Sequence, residues 1–484
     1  VTSRNDYVTP DPSTDMLYTV DDTPSWYTCT VLGLQHYLIA IGGIVGLPLL
    51  LAGPLCIAND DDGDVARALI ISSLFFVAGI CTMLQTTFGI RLPIMQGGTF
   101  SFLPPTFAIL SLPHLYQVDS TTSHTLYITT QMEVQGAIAV ASCLPILLGL
   151  TGAVGFLLRF IGPLTIAPAV ALIGLDLFAA AYGNASSQWG IAMFPYLLSH
   201  ITTPTYYTPI LITNMPFMVY FHVLFALILA WLLCLILTVT NALPTSSSHP
   251  GWRARTDIRT NVIRNAPWLV LFRFPYPGQW GLPRVTIAGV IGMMAGVVAG
   301  FVESIGDYYA CARLSGAPNP PTHAINRGIL TEGFGCLLAG VIGTSTATTS
   351  FSENIGAIGI TRVGSRRVLQ VAGFIFFILG MLSKFGSIFV TIPDPVIGGL
   401  FCVMFGMIAA VGISNLQYVD LNSPRNLFIV GFALFMGLTV PEWMKANKGV
   451  IQTGVIEIDQ ILTVFLETAM LVGGLLALLF DNTI

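Results

Sequence analysis

The sequence predicts an all-α polytopic membrane protein whose spans divide into two halves of about seven. Three observations carry that expectation. Only 9% of the 484 residues are charged, against about 25% in a soluble domain. Hydrophobic residues make up 54% and the mean hydropathy is +0.78. Long uncharged runs recur along the chain, each sufficient for a helix that crosses a bilayer in about 20 residues. A water-soluble globule is excluded, and an outer-membrane barrel is disfavoured because its segments would be about ten residues of alternating polarity.

Other classes fall on the same arithmetic. A net charge of -5 and a pI near 5.8, without a basic stripe, give no footprint for nucleic acid. The eight cysteines, Cys29, Cys56, Cys81, Cys143, Cys234, Cys311, Cys336 and Cys402, show no metal or haem spacing and read as small apolar residues. The first 25 residues are polar and acidic, so no cleavable signal peptide is expected and the first helix serves as its own insertion signal.

Charges punctuate the spans. After the polar segment 1–25, the first half (26–243) opens with a span from Trp26 and an acidic turn, Asp60 to Asp64. A second span lies between Arg67 and Arg91, and a third, 92–118, is interrupted by Pro93, Pro104 and Pro105. A polar loop from Pro113 to Thr130 precedes spans at 134–158 and 160–182, and two more fit within 177–252, split at 202–215. The connection 244–284 is Arg-rich, with Trp268, Leu269 and Phe272 patterned for an interfacial helix. The second half (285–484) offers 285–312, 328–345, an irregular stretch at 346–361, then 368–390, 395–412, 426–441 and 461–480. An odd number of spans per half inverts the second half relative to the first, as in many secondary transporters. Basic residues balance on the two sides once the long loop is counted, and long loops weigh less, which favours cytoplasmic termini. The sequon Asn184-Ala-Ser then lies outside.

The chemistry concentrates in two places. Glu303 and Asp307 are the only charges between Arg284 and Arg313, and four-residue spacing sets them on one helical face. A carboxylate at membrane depth costs about 3 kcal/mol or more unless it meets a polar cavity, a cation or a ligand. An ion pair with Lys384 or His36 is the structural alternative. The second place is a matched pair of broken helices, Gln96 to Pro105 and Thr344 to Gly356, small and polar inside apolar surroundings. Irregular backbone at that depth is tolerated only where protein buries it or water lines it, and half-helix N-termini offer amides and partial positive charge to a ligand. Gly292, Gly296 and Gly300, at four-residue spacing, suit close helix packing. Pro318 to Pro321 reads as a stiff turn, and Arg362, Arg366 and Arg367 as inside-facing anchors.

These segments resemble the nucleobase-ascorbate transporter family. The resemblance rests on Gly33-Leu-Gln-His36, on Glu303-Ser-Ile-Gly-Asp307 and on Glu353-Asn-Ile-Gly-Ala-Ile-Gly-Ile-Thr-Arg362, in family order, and extends from about Trp26 to Asn482. Asp307-Tyr-Tyr-Ala-Cys-Ala-Arg-Leu and Gly364-Ser-Arg-Arg367 are similar to the animal, sodium-dependent branch. The resemblance implies fourteen spans in two inverted seven-helix repeats, core and gate domains that rock as rigid bodies, a homodimer and a plasma-membrane location. It also implies that Glu303, Glu353 and the backbone at Phe100 and Ser352 hold the cargo, with Thr99, Ser101, Asn354 and Gln35 around them.

Asp307 stands where the proton-coupled bacterial uracil permease has His, so the expectation is sodium, held by Asp307 with Ser304 and His36. His36 would order this site through Gln35 or Asp307. No cofactor is expected beyond co-transported Na+. Vitamin C members carry Pro at the position of Glu353, so the sequence favours a neutral nucleobase, with ascorbate as the alternative; Gly97, Gly98 and Ser101 leave room for a flat heterocycle. A channel would show a repeated pore loop, and an intramembrane enzyme a nucleophile or metal motif. Neither is present in the sequence, and a seven-helix receptor has half the spans.

Overall fold

In the computed structural model the described residues are 16–57, 60–112, 123–157, 160–194, 222–259, 262 and 273–483. The first helix, α1 (Trp26–Leu51), carries no Asp, Glu, Lys or Arg, and from Gly33 onward most of its residues are buried, as in a span packed among other helices. It is followed by α2 (Asp61–Thr87), β1 (Gln96–Gly98), a 3-10 turn (Phe100–Phe102) and α3 (Leu103–Leu110). Then come α4 (Ser123–Ala141), α5 (Cys143–Thr151), α6 (Val154–Leu157), α7 (Pro163–Asp176), α8 (Phe178–Ala185) and α9 (His222–Val239). The later part holds α10 (Ile287–Leu314), α11 (Thr322–Ile342), β2 (Thr348–Ser350), α12 (Ser352–Thr361), α13 (Arg366–Met381) and α14 (Ser383–Val390). It closes with α15 (Asp394–Ser414), α16 (Pro424–Ala446), α17 (Ile456–Glu467) and α18 (Ala469–Thr483).

Among the described residues eight helices are long and apolar enough to cross a membrane, or nine if the bent pair α17–α18 is one span. The split at 202–215 and the interfacial helix around Trp268 lie outside the described residues.

Packing sorts the helices into two groups. α2 lies along α13 and α14, α1 along α13, and α11 against α4 and α5. Separately, α7 packs on α15, α16 and α18, and α8 on α15. Small residues set these approaches. An added Cβ on Gly380 would come within 2.3 Å of the Phe76 nitrogen, and one on Gly412 within 2.2 Å of the Ala171 nitrogen. Close backbone contact of this kind gives dispersion where lipid offers no hydrophobic drive. Of the small stripe on α10, Gly292 faces Val464 and Gly296 faces the Ser101 carbonyl and the Phe102 ring, whereas Gly300 stands clear by 3.9 Å.

Gly412→Val forces two backbones apart, and overpacking of this kind costs about 1–3 kcal/mol or more. The expected result is several-fold less protein at the cell surface by surface biotinylation. Gly183→Ala, which meets nothing within 4 Å, stays at the wild-type level.

Several sequence expectations are corrected. The acidic turn at Asp60 is the start of α2: Asp60 caps the helix by accepting from the Gly63 amide, which sets a carboxylate at its positive end. The polar stretch before Thr130 becomes helical at Ser123, and the polar side chains at its end are buried. Gln131 donates to the Gly343 carbonyl, and Thr130 to that of Leu55. The run 368–390 breaks at Leu382, whose extended ψ of 97° separates α13 from α14. The run 461–480 belongs to a pair bent by 82°, where extended Thr468 divides α17 from α18 and buried Glu467 accepts from Ser111. The polar N-terminal segment is docked from residue 16 onward. Leu17 donates to the Arg362 carbonyl, Gly364 to that of Tyr18, and Arg366 pairs with Asp21. All eight cysteines are free thiols, five of them buried, as a reading of small apolar residues requires.

Candidate functional site

The two interrupted segments meet in the interior. β1 and β2 pair antiparallel, Gln96 opposite Ser350, Gly97 opposite Thr349 and Gly98 opposite Thr348. The Thr99 amide donates to the Ala347 carbonyl at 3.1 Å and the Phe351 amide to that of Met95 at 3.0 Å, which extends the ladder at both ends. Each strand pairs with the other, so buried backbone that helices cannot satisfy is satisfied here. A half-helix leaves from each strand. The Thr99 hydroxyl caps the first by accepting from Ser101, and Ser352 begins the second.

The carboxylates of α10 face this crossing. Ser101 Oγ donates to Glu303 Oε2 at 3.2 Å, and Ser352 Oγ donates to Asp307 Oδ1 at 2.9 Å. One turn of α10 therefore serves the first serine of both half-helices. Between them Ser304 shares a hydrogen bond of 2.6 Å with Thr349, and Thr349 also donates to the Gly300 carbonyl. These contacts hold the sheet against the span that carries the acids.

His36 and Asn354 form a second pair. Asn354 Nδ2 donates to the His36 carbonyl at 2.9 Å and lies 3.1 Å from His36 Nδ1, with both residues buried. His36 thus reaches the crossing through Asn354 and not through Gln35, which is half-buried on the neighbouring face of α1. Asn354 Oδ1 and Gln96 Oε1 are buried without a hydrogen bond among the described residues, which leaves amide acceptors at the crossing. The backbone of Glu353 lies in the first turn of α12.

The room expected beside Gly97 and Gly98 is occupied. A Cβ on Gly97 would come within 2.5 Å of the Phe351 ring, and one on Gly98 within 2.6 Å of Leu47. Phe351 also lies against Gly43, and the Phe100 ring meets Phe405 edge-on at 5.7 Å. Gly97 lets the Phe351 ring press on the sheet and Gly98 lets Leu47 do so, a packing role that composition alone reads as free space.

Glu332 on α11 is a buried carboxylate that the reading of α10 passes over. Its Oε1 accepts from Tyr308 at 2.8 Å, from Ser350 at 2.8 Å and from Gln96 Nε2 at 3.2 Å. Gln85 in turn donates to the Tyr308 oxygen at 2.6 Å. Gln96 and Ser350 are register partners, so Glu332 ties β1 and β2 together from behind and joins them to α10. The available signal was a lone acid inside an apolar, glycine-rich run, obscured by Arg327 five residues before it.

The permease family profile matches residues 28–446. The chain is 47% identical to rat solute carrier family 23 member 1, over all of this chain and 83% of that protein. It is 49% identical to mouse solute carrier family 23 member 2, covering 97% of this chain and 74% of that one. Nucleobase-ascorbate transporter 1 of Arabidopsis thaliana is 36% identical, over 97% of this chain and 89% of the relative.

Among solved structures, the murine solute carrier 26 family member A9 anion transporter, inward-facing, aligns with a TM-score of 0.53 at 13% identity. The match covers 86% of this chain and just under two thirds, 65%, of that one. The transmembrane domain of the cyanobacterial bicarbonate transporter BicA aligns at 0.50 with 12% identity, over 92% and 97% of the two chains. At such identities the likeness is one of fold.

Proposed function

The chain belongs to the permease family, and we propose that it is a plasma-membrane symporter that carries ascorbate inward on a sodium gradient. The observation that carries the transport reading is the meeting of two half-helices over one acidic turn, Ser101 on Glu303 and Ser352 on Asp307. A monoanion and a cation suit the two kinds of group present. Half-helix N-termini present amides and partial positive charge to the anion, while Asp307, with Ser304 and Asn354 close by, presents oxygen to sodium. Bound together, each ion offsets the other's charge, and that mutual stabilisation is the coupling a symporter needs.

Two observations divide the cargo. Identity of 47–49% to the mammalian relatives, against 36% to the plant one, supports the animal branch and with it the cargo of its vitamin C members. Glu353 supports the second reading, a nucleobase such as uracil or xanthine, because those vitamin C members carry Pro there and a carboxylate suits a ring N–H. We place both termini in the cytoplasm, fourteen spans in inverted repeats, the two packing groups as core and gate, and two copies in the working unit.

One panel tests this: labelled ascorbate, uracil and xanthine, each in sodium and in choline. Saturable ascorbate uptake at least about fivefold higher in sodium is expected, and equal uptake in both salts overturns sodium coupling. Glu353→Pro separates the cargoes. It leaves ascorbate uptake within about twofold under the first reading and abolishes uracil or xanthine uptake under the second.

A further inference from the structure

We propose that an arginine-lined hollow at the far end of α1 is a recruitment site for small organic anions, set at the mouth of the route to the crossing. The hollow has a volume of about 230 Å3. Its wall is built from Leu49 of α1, Arg67 of α2, Asn184 of α8, Asp394 of α15, and Arg253 and Arg259 of the long connection. Drug-sized sites run to about 300–1,000 Å3, so this one suits a compact metabolite.

Its charge is positive. Three guanidiniums face one lining carboxylate, Asp394, to which Arg259 Nη2 donates at 3.1 Å. A second acid, Asp64, stands behind them: Arg67 pairs with it, and Arg259 Nε lies 3.8 Å from it. The cluster of five keeps one net positive charge; neighbouring Asp60, which accepts from Gly63 and keeps its own negative charge, is not part of the lining. Arginine offers a planar fork of N–H donors that matches a carboxylate or an enediolate, and it cannot lose its charge at neutral pH.

Position gives the cluster its use. α1 has 26 residues, about 39 Å of helix at 1.5 Å per residue, and the docked N-terminal segment lies at its start. The hollow is therefore on the opposite membrane face, the outer one in the orientation proposed above. Leu49 and Ile397 of its lining belong to α1 and α15, whose contact runs inward. Gly46 faces Phe401, Gly43 faces Met404 and Phe351, Phe401 stacks on Phe405 at 5.3 Å, and Phe405 meets Phe100 at the crossing. A ladder of rings thus separates an anion-attracting entrance from the paired half-helices. Electrostatic focusing in such a cleft raises the local concentration of the attracted ion and its rate of arrival.

The inference rests on the anionic-cargo reading, and the test keeps the two apart. Arg253 is exposed, so Arg253→Gln disturbs little packing; Arg259→Gln serves as the second variant. Labelled ascorbate uptake is measured against concentration at low and high ionic strength, with surface protein quantified. Equilibrium binding of labelled ascorbate to the purified full chain in detergent is measured alongside.

The expected result is a KM raised about five- to tenfold at low ionic strength, a maximal velocity within twofold of wild type, and a smaller salt effect. Binding weakens in parallel. Unchanged KM and unchanged binding in both variants overturn the proposal. Wild-type protein that takes up uracil but neither takes up nor binds ascorbate overturns it together with the anionic reading. Wild-type protein that takes up nothing, yet binds ascorbate in a way that Arg253→Gln weakens, overturns the transport reading and supports the site.

Discussion

Asp307→Asn lowers the apparent affinity for sodium by at least about tenfold while the protein still reaches the cell surface. The residue is 8% exposed, and its Oδ1 takes the Ser352 hydroxyl at the start of α12. Asparagine keeps the shape and an acceptor for Ser352, so the half-helix keeps its anchor. What is removed is one negative charge. At an effective dielectric of about 20, unit charges 4 Å apart attract by about 4 kcal/mol, and half of that amounts to roughly thirtyfold in cation affinity. Because cation and cargo bind cooperatively in this mechanism, the cargo KM rises with it at fixed sodium. The measurement is uptake against sodium concentration, normalised to surface protein. A half-saturating sodium concentration equal to that of wild type removes Asp307 from the cation site.

The spans were legible because desolvation is written in composition. Arg284 and Arg313 enclose an uncharged stretch apart from the two acids, and α10 fills it from Ile287 to Leu314. The broken helices were legible for the same reason, since polar and small residues at membrane depth need a special backbone. Their pairing was not. Register partners Gln96 and Ser350 are 254 residues apart, and no local pattern says that the backbone of one segment will pair with that of another.

The bend at Thr468 escaped because hydropathy measures how apolar a run is and carries nothing about direction; Glu467, buried against Ser111, was its only sign. The docking of residues 16–22 escaped for a different reason. Leu17 and Tyr18 reach Arg362 through main-chain groups that every residue possesses. Gly97 shows a third limit. A glycine announces a close approach but not what approaches, and here it is the Phe351 ring.

Glu332→Ala abolishes uptake to below about 5% of wild type, whereas Glu332→Gln retains a substantial part. A single oxygen of this carboxylate accepts from Tyr308, Ser350 and Gln96, and the residue is 5% exposed. Alanine removes the shared acceptor of three buried donors, of which Gln96 Nε2 keeps the Ser350 hydroxyl. Each unsatisfied donor costs about 1–3 kcal/mol, with sub-additive sums in a shared network. A loss of about 3 kcal/mol falls on the bond between β1 and β2, because Gln96 and Ser350 are paired there. Glutamine places its carbonyl oxygen where Oε1 stands and can keep all three bonds, so it isolates the charge from the hydrogen bonds. Purified wild-type and variant proteins are compared by thermal unfolding, and uptake is measured in parallel. A depressed midpoint in Glu332→Ala with recovery in Glu332→Gln locates the effect in the register of the two strands. Equal loss in both variants would instead assign it to the negative charge, and the carboxylate would then act on the ions at the crossing rather than on the frame that holds them.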